Sequence, residues 1–259
     1  MSPNYLLTEI RDRVGYITLN RAEKKNALND DMVSELTEAF SLMYKDSQVK
    51  VIQLRAMGDV FSAGADLHYL QKLQVNSFEE NFQDSKLLAN LFNLIYSGPK
   101  VVVSVVQGHA IAGGCGLATV CDFCIAVPEA KFGYTEVKIG FVPAIVMIFL
   151  IKKLGETRAR DLTLTGKLIS AVEAQSIGLI NEVIKQSELQ IRADAFCKHI
   201  AASSSAESIQ RIKQMFTQIY TMNLEEALLY AAKQNAETRS TEDCKKGISS
   251  FLNKERINW

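Results

Sequence analysis

The pattern of apolar and polar positions changes character along the chain. The first half alternates short β-rich runs with turns and helices. Tyr5 to Arg11 and Gly15 to Asn20 read as the strands of a hairpin around Asp12-Arg13-Val14. Asn29 is suited to cap a helix over Asp31 to Tyr44, where Met32, Leu36, Ala39, Phe40 and Met43 recur at helical spacing. Val49 to Leu54 and Phe123 to Val127 are short strand-like runs. Lys100 to Val106 is nearly all valine, as expected of a strand buried on both faces. Gly113 to Val120 reads as a helix opening on glycines. Phe141 to Ile151 is the longest apolar run, too short to span a membrane, and reads as a buried helix.

The second half turns helical. Glu156 to Leu164, Ala171 to Ile177, Ser187 to Ala202, Ser205 to Tyr220, Leu224 to Thr238 and Thr241 to Asn253 carry apolar residues three and four apart. Ser170 with Glu173 forms a capping-box pattern, and the neighbourhood of Thr241 a weaker one. Strands first and helices later predict an α/β core with a C-terminal helical part.

Composition narrows the class. The 259 residues are 47 % apolar and 22 % charged, with four prolines, a soluble globular profile. The formal net charge is zero, which argues against nucleic acid as the main partner. Met-Ser-Pro-Asn-Tyr opens without a basic or apolar leader. The five cysteines are odd in number and scattered, which suggests reduced thiols in a cytoplasmic protein. Cys121 and Cys124 form a C-x-x-C, but no second Cys/His pair sits at zinc spacing, and two small buried side chains are the favoured reading. No metal set or flavin motif is visible, and no cofactor is expected.

Two loops carry the chemistry. Phe61-Ser62-Ala63-Gly64-Ala65-Asp66-Leu67 and Gly108-His109-Ala110-Ile111-Ala112-Gly113-Gly114-Cys115-Gly116 each follow a strand and open a helix. Small residues there let a ligand approach the backbone, and free N–H groups at a helix start can face an anion. Two such donors converging on one oxygen would form an oxyanion hole. Neither loop has the spacing of a dinucleotide fingerprint or a P-loop.

These segments, together with Leu19 to Leu28, Phe132 to Gly140 with Pro143, Leu164-Thr165-Gly166, Ala171 to Ile180 and the tail Gly247 to Lys254, resemble the crotonase (enoyl-CoA hydratase/isomerase) family. The resemblance runs in order over nearly the whole chain. It implies a spiral of ββα units over residues 1–199 and a C-terminal helical region over 200–259 that packs in homotrimers, usually paired into hexamers. It implies an acyl-CoA thioester as substrate, with coenzyme A part of it. The N–H groups of Ala63 and Gly113 would grip the thioester oxygen. Ala65, Asp66, Leu67, Gly114 and Tyr134 would line the substrate path, with Met147 and Phe149 as further acyl-pocket residues. Lys24, Lys25 and Lys254 would meet the phosphates.

Glu136 aligns with a catalytic glutamate of the family. A carboxylate can serve as general base when desolvation lifts its pKa. The departure is Gly116, where many family hydratases carry a second glutamate. Glu136 would then act alone, either adding water to a 2-enoyl-CoA or moving a proton in a 3-enoyl-CoA isomerase. Ala65 to Gln71 and Glu136 to Ala144 are similar to bacterial methylglutaconyl-CoA and carboxygeranoyl-CoA hydratases, which serve leucine and acyclic isoprenoid breakdown, and this favours hydration. A non-catalytic acyl-CoA-binding or RNA-binding member is the alternative of another class. Asp66 is better suited to a helix N-cap than to acid catalysis. Lys138 and Arg55 are the available cations for a distal substrate carboxylate.

Overall fold

The computed structural model describes residues 4–259; Met1 to Pro3, part of the opening segment expected to carry no leader, lie outside the described residues. The hairpin forms as expected from strands β1 (Leu6–Arg11) and β2 (Val14–Leu19), and Asp12 and Arg13 turn it with φ of 52° and 64°. Asn29 then caps α1 (Asp30–Lys45) by accepting from the Met32 N–H. Its apolar stripe Met32, Leu36, Phe40 and Met43 enters the core.

From there the chain winds in a repeating unit. Strand β3 (Val51–Ala56) joins one sheet, β4 (Val60–Ser62) joins a second, and helices α2 (Leu67–Leu73) and α3 (Phe78–Ser97) follow. The next turn is β5 (Val101–Val106), β6 (His109–Ile111) and α4 (Gly113–Val120). The third is β7 (Phe123–Ala126), β8 (Lys131–Gly133), α5 (Ala144–Leu154) and α6 (Glu156–Thr165). Short strands β9 (Ile169–Ser170) and β10 (Glu182–Val183) flank α7 (Ala171–Ser176) and end the two sheets.

The larger sheet has the order β1-β2-β3-β5-β7-β10, parallel apart from the β1–β2 hairpin. The smaller has the order β4-β6-β8-β9, with β9 antiparallel. All six residues of the valine strand β5 are buried, as expected of a central parallel strand covered on both faces. Each turn of the spiral therefore delivers one strand to each sheet, and the smaller sheet's strands lead straight into the two loops of interest.

The C-terminal part is helical: α8 (Leu189–Ser203), α9 (Ala206–Gln218), α10 (Leu224–Arg239) and α11 (Glu242–Leu252). The division placed at residue 199 falls inside α8, which packs on β2, β3, β5 and β7. Lys213 on α9 ties this part to the spiral through a buried ion pair with Asp122 at 2.6 Å.

Two expectations change. The sequence reading assigns no element to the segment that forms α3, although Ser77 and Glu80 make a complete capping box at its start. The run Phe141 to Ile151, expected to be a buried helix, instead starts its helix at Ala144, after Pro143. Only Val146 and Leu150 of α5 are buried, and Phe141, Val142 and Ile148 face outward. The C-x-x-C pair is two fully buried thiols, with pKa values pushed by burial up to about 12 for Cys121 and about 11 for Cys124.

Ala112 adopts φ of 52° and ψ of −127° at the entry to α4, a conformation costly for a residue with a Cβ. Ala112→Gly should therefore raise stability by about 1 kcal/mol in denaturant unfolding. A lower unfolding midpoint would show that the turn carries no strain.

Candidate active site

The first loop is fixed by a buried hub. Asn26 has no exposed surface, and its side chain accepts from the Arg21 N–H at 2.9 Å and donates to the carbonyls of Met57 at 2.9 Å and Val60 at 2.8 Å. The Asn26 carbonyl in turn accepts from the Ser62 hydroxyl at 2.8 Å. Arg21 pairs with Asp66 at 2.8 Å. The segment Leu19 to Leu28 is thus a clamp that sets the backbone of residues 57–66.

This clamp decides which amide of the loop is free. The Ala63 N–H donates to the Lys25 carbonyl at 3.0 Å, Gly64 N–H reaches the Ser62 hydroxyl at 3.2 Å, and Asp66 N–H donates to the Leu28 carbonyl at 2.8 Å. Leu28 N–H donates to the Gly64 carbonyl at 2.7 Å, so residue 65 bridges Leu28 with its own N–H turned the other way. Among the described residues, the Ala65 amide has no acceptor. The expected donor Ala63 is therefore corrected: its amide is spent on the clamp, and the amide this loop leaves open is that of Ala65.

The second loop brings its own free amide. Ala112 N–H is held by the Gly133 carbonyl at 2.7 Å, and helix α4 begins at Gly113, whose N–H has no backbone acceptor. The loops are in contact. A Cβ built on Gly64, where φ is +88°, would lie 2.8 Å from the Ile111 carbonyl oxygen and 3.1 Å from the Gly113 nitrogen. One built on Gly113 would lie 4.0 Å from the Ala65 nitrogen. Glycine at 64 permits this approach of the two loops, whereas a Cβ at 113 would meet nothing closer than 3.8 Å.

Glu136 starts a short 3-10 turn, Glu136–Ile139, three residues beyond Gly133, which pairs with Ile111. Its residue is 8 % exposed, and its Oε2 is buried with no hydrogen-bond partner among the described residues. Burial pushes its pKa above the ordinary 4.5, opposed only by its own backbone N–H. Its charge contributes to raising the pKa of Cys115, in the first turn of α4. The arrangement is a desolvated carboxyl close to the helix start that offers the Gly113 amide.

Other expected site residues divide. Ala65 is half-buried and Leu67 is exposed at the loop. Lys24 and Lys25 are exposed on the turn whose Lys25 carbonyl holds Ala63. Asp66 is corrected from substrate contact to structure: it caps α2 through the N–H groups of His68 and Tyr69 while paired with Arg21, whose guanidinium helps hold its pKa below the ordinary 3.8 despite burial. Gly114 is buried, and a Cβ there would come within 2.4 Å of the Ser62 carbonyl oxygen, so its smallness serves the approach of α4 to β4 rather than a ligand. Tyr134 has no exposed surface and bonds the Thr119 hydroxyl at 3.0 Å, which removes it from the pocket surface. Lys254 follows α11, which packs on α10, and no hydrogen bond links it to either loop. Arg55 is engaged with Glu9 and Thr18.

The sequence reading missed Asn26 and Arg21 as organisers, although both lie in the segment that carried the resemblance. It also missed what fills the space left by Gly116. A Cβ there would sit 2.2 Å from Val146 Cγ1, so the α5 side chain closes the notch.

The spiral of paired strands defines the crotonase fold. A crystal structure of an enoyl-CoA hydratase from Shewanella pealeana matches with a TM-score of 0.93 at 28 % identity, covering 99 % of this chain and 96 % of that one. The enoyl-CoA hydratase/isomerase family model matches residues 9–259, and the chain belongs to that family. A Thermus thermophilus relative bearing an enoyl-CoA hydratase name is 38 % identical over 244 residues, 94 % of this chain and 96 % of that one. A short-chain-enoyl-CoA hydratase of Clostridium acetobutylicum is 31 % identical over 260 residues, 99 % of this chain and 98 % of that one.

Asn26→Ala should unfold about 3 kcal/mol more easily, since it strands one buried and two part-buried backbone groups. A loss below about 1 kcal/mol in urea unfolding would mean the clamp relaxes around water.

Proposed function

We propose that this protein is an enoyl-CoA hydratase, a hydro-lyase that adds water across the double bond of a 2-enoyl-CoA. The observation that carries the reading is the buried Glu136 carboxyl, whose Oε2 has no partner among the described residues, on the turn that follows the strand paired with the second loop. The relatives' names support the hydratase direction.

In this reading the Ala65 and Gly113 amides hold the thioester oxygen. Polarisation of that carbonyl draws electron density from the β carbon. Glu136 takes a proton from water as the oxygen bonds to the β carbon, and negative charge collects on the thioester oxygen as an enolate. Glu136 then returns its proton to the α carbon, so one water is added and the carboxylate is regenerated. Each amide of such a pair is worth about 3 kcal/mol of barrier. Lys24 and Lys25, beside the first loop, are the cations we assign to the phosphates of coenzyme A. No further cofactor is required.

The acyl group we put forward is 3-methylglutaconyl, on the similarity of residues 65–71 and 136–144 to hydratases of that class. The protein would act in the cytoplasm as a homotrimer or a hexamer. Outward-facing Val137, Ile139, Phe141, Val142 and Ile148 support self-association, because a patch of this kind is unfavourable in water. A second reading is favoured by one observation: Val146 fills the place beside Gly116, leaving a single carboxyl that could shuttle a proton without water, as in a 3-enoyl-CoA to 2-enoyl-CoA isomerase.

Mass analysis separates the two. With crotonyl-CoA or 3-methylglutaconyl-CoA the product should be heavier than the substrate by one water. A 3-enoyl-CoA converted to its conjugated isomer, with no hydroxyacyl product from either enoyl thioester, would replace hydratase by isomerase.

Glu136→Gln should lower kcat by about a hundredfold to ten-thousandfold. The base form is required, so wild-type kcat/KM should fall as pH drops through the raised Glu136 pKa, with the acid limb centred above 4.5. The same shift has a sign for stability. The folded state keeps this proton at pH values where the unfolded state has lost it. Stability is therefore lost as pH rises from the unfolded value through the folded one. Glu136→Gln should melt at a higher temperature than wild type at pH 7–8, and the gap should close toward pH 4. A lower melting temperature at neutral pH would contradict the desolvation on which the base rests.

A further inference from the structure

At the opposite end of α4 from the Gly113 amide lies a cavity of about 430 Å³. It opens between α3, α5 and α9, and its walls are mostly apolar, including Tyr96, Phe149, Ile212, Phe216 and Tyr220. Its size falls within the range of small-molecule sites. It is walled off from the loops of the active site. Phe149 packs on Phe92 with ring centroids 5.9 Å apart, and Phe92 and Val146 fill the space beside Gly116.

The charges around this cavity do not balance. Lys152, Lys153 and Lys213 line it with one acid, Asp122. Lys213 is paired with Asp122, and the Asp122 carboxylate also accepts from the Val102 N–H at 2.8 Å. Lys153 donates to the carbonyls of Thr119 at 2.5 Å and Cys121 at 3.1 Å, at the end of α4. Lys152 has no acidic partner among the described residues. Its ammonium lies 3.6 Å from the Tyr220 ring centroid and 6.0 Å from that of Tyr96. A cation held between aromatic faces at the edge of an apolar cavity is matched by a ligand with an apolar body and one negative end.

We propose that this cavity is a second binding site, for an alkyl carboxylate whose chain lies against Phe149, Ile212 and Phe216 and whose charged end meets Lys152. The ligand is a free carboxylic acid rather than the far end of an acyl thioester, because the Phe92–Phe149 packing closes the path from the loops. The inference does not depend on which reaction the protein catalyses.

The test is calorimetric titration of the whole protein with decanoate, with decanol as the uncharged control. Decanoate should bind with one-to-one stoichiometry, and Lys152→Glu should weaken it by about tenfold or more at an unchanged melting temperature. Phe216→Trp places a fluorophore in the wall, and its emission should shift as decanoate saturates. Binding that persists under saturating butyryl-CoA supports the free acid as ligand. Decanoate binding abolished by butyryl-CoA would overturn the second site. So would equal affinity for decanol, an unmoved Phe216→Trp signal, or wild-type affinity in Lys152→Glu.

Discussion

The site depends on one close approach. Two strand-to-helix turns from different windings of the spiral touch, each carrying an amide without a backbone acceptor among the described residues. Side chains would keep them apart. At Gly64 a Cβ would meet the Ile111 carbonyl oxygen at 2.8 Å, and at Gly114 one would meet the Ser62 carbonyl oxygen at 2.4 Å. The approach also has to be held, because two parallel N–H dipoles with no acceptor repel each other and seek other partners. Lys25, Ser62 and Leu28 take the amides of Ala63, Gly64 and Asp66, and Asn26 holds Ser62 in place, so the Ala65 amide is the one left without an acceptor among the described residues. The N-terminal clamp, remote from the chemistry in sequence, is what makes the first donor available.

Glu136 obeys the opposite logic. A carboxyl gains stability from hydrogen bonds, and here one oxygen is buried with no partner among the described residues. The fold tolerates this because the surrounding layers are overdetermined: β8 is paired on both sides, and the turn after Glu136 is closed by Gly140 at φ of +72° and the Phe141 N–H. The buried Glu136 carboxyl is thus a local loss of stability maintained by a rigid frame.

Much of the frame was legible in the sequence because it rests on local rules. The hairpin followed from its turn, the buried strand Val101–Val106 from its valines, and the helix Gly113–Val120 from its glycine start. What escaped depends on distant contacts. The strands Ile169–Ser170 and Glu182–Val183 have two residues each and exist only because a neighbouring strand is present. Helix Phe78–Ser97 has an exposed aromatic first turn that blurs its apolar stripe, although its capping box was readable. The identity of the free amide could not be read from Ala63-Gly64-Ala65, since two alanines flank the glycine symmetrically. Only the bonds to Lys25 and Leu28 break that symmetry.

The absence of a second acid is likewise more than one substitution. With Val146 Cγ1 2.2 Å and Phe92 Cε1 3.1 Å from where a Cβ on residue 116 would be, any side chain at that position must displace two others. Gly116 and Val146 are a matched pair, and interiors this tightly packed yield in steps rather than gradually. A chain with such a pair cannot regain a carboxyl at 116 by a single change without disturbing the α4–α5 contact. The same helix α4 presents the Gly113 amide at its start, so the disturbance would reach the loop that carries it. The apolar notch and the placement of the Gly113 amide therefore form one mechanical unit, in which the lack of a carboxyl at 116 is a property of the packing and not of one residue.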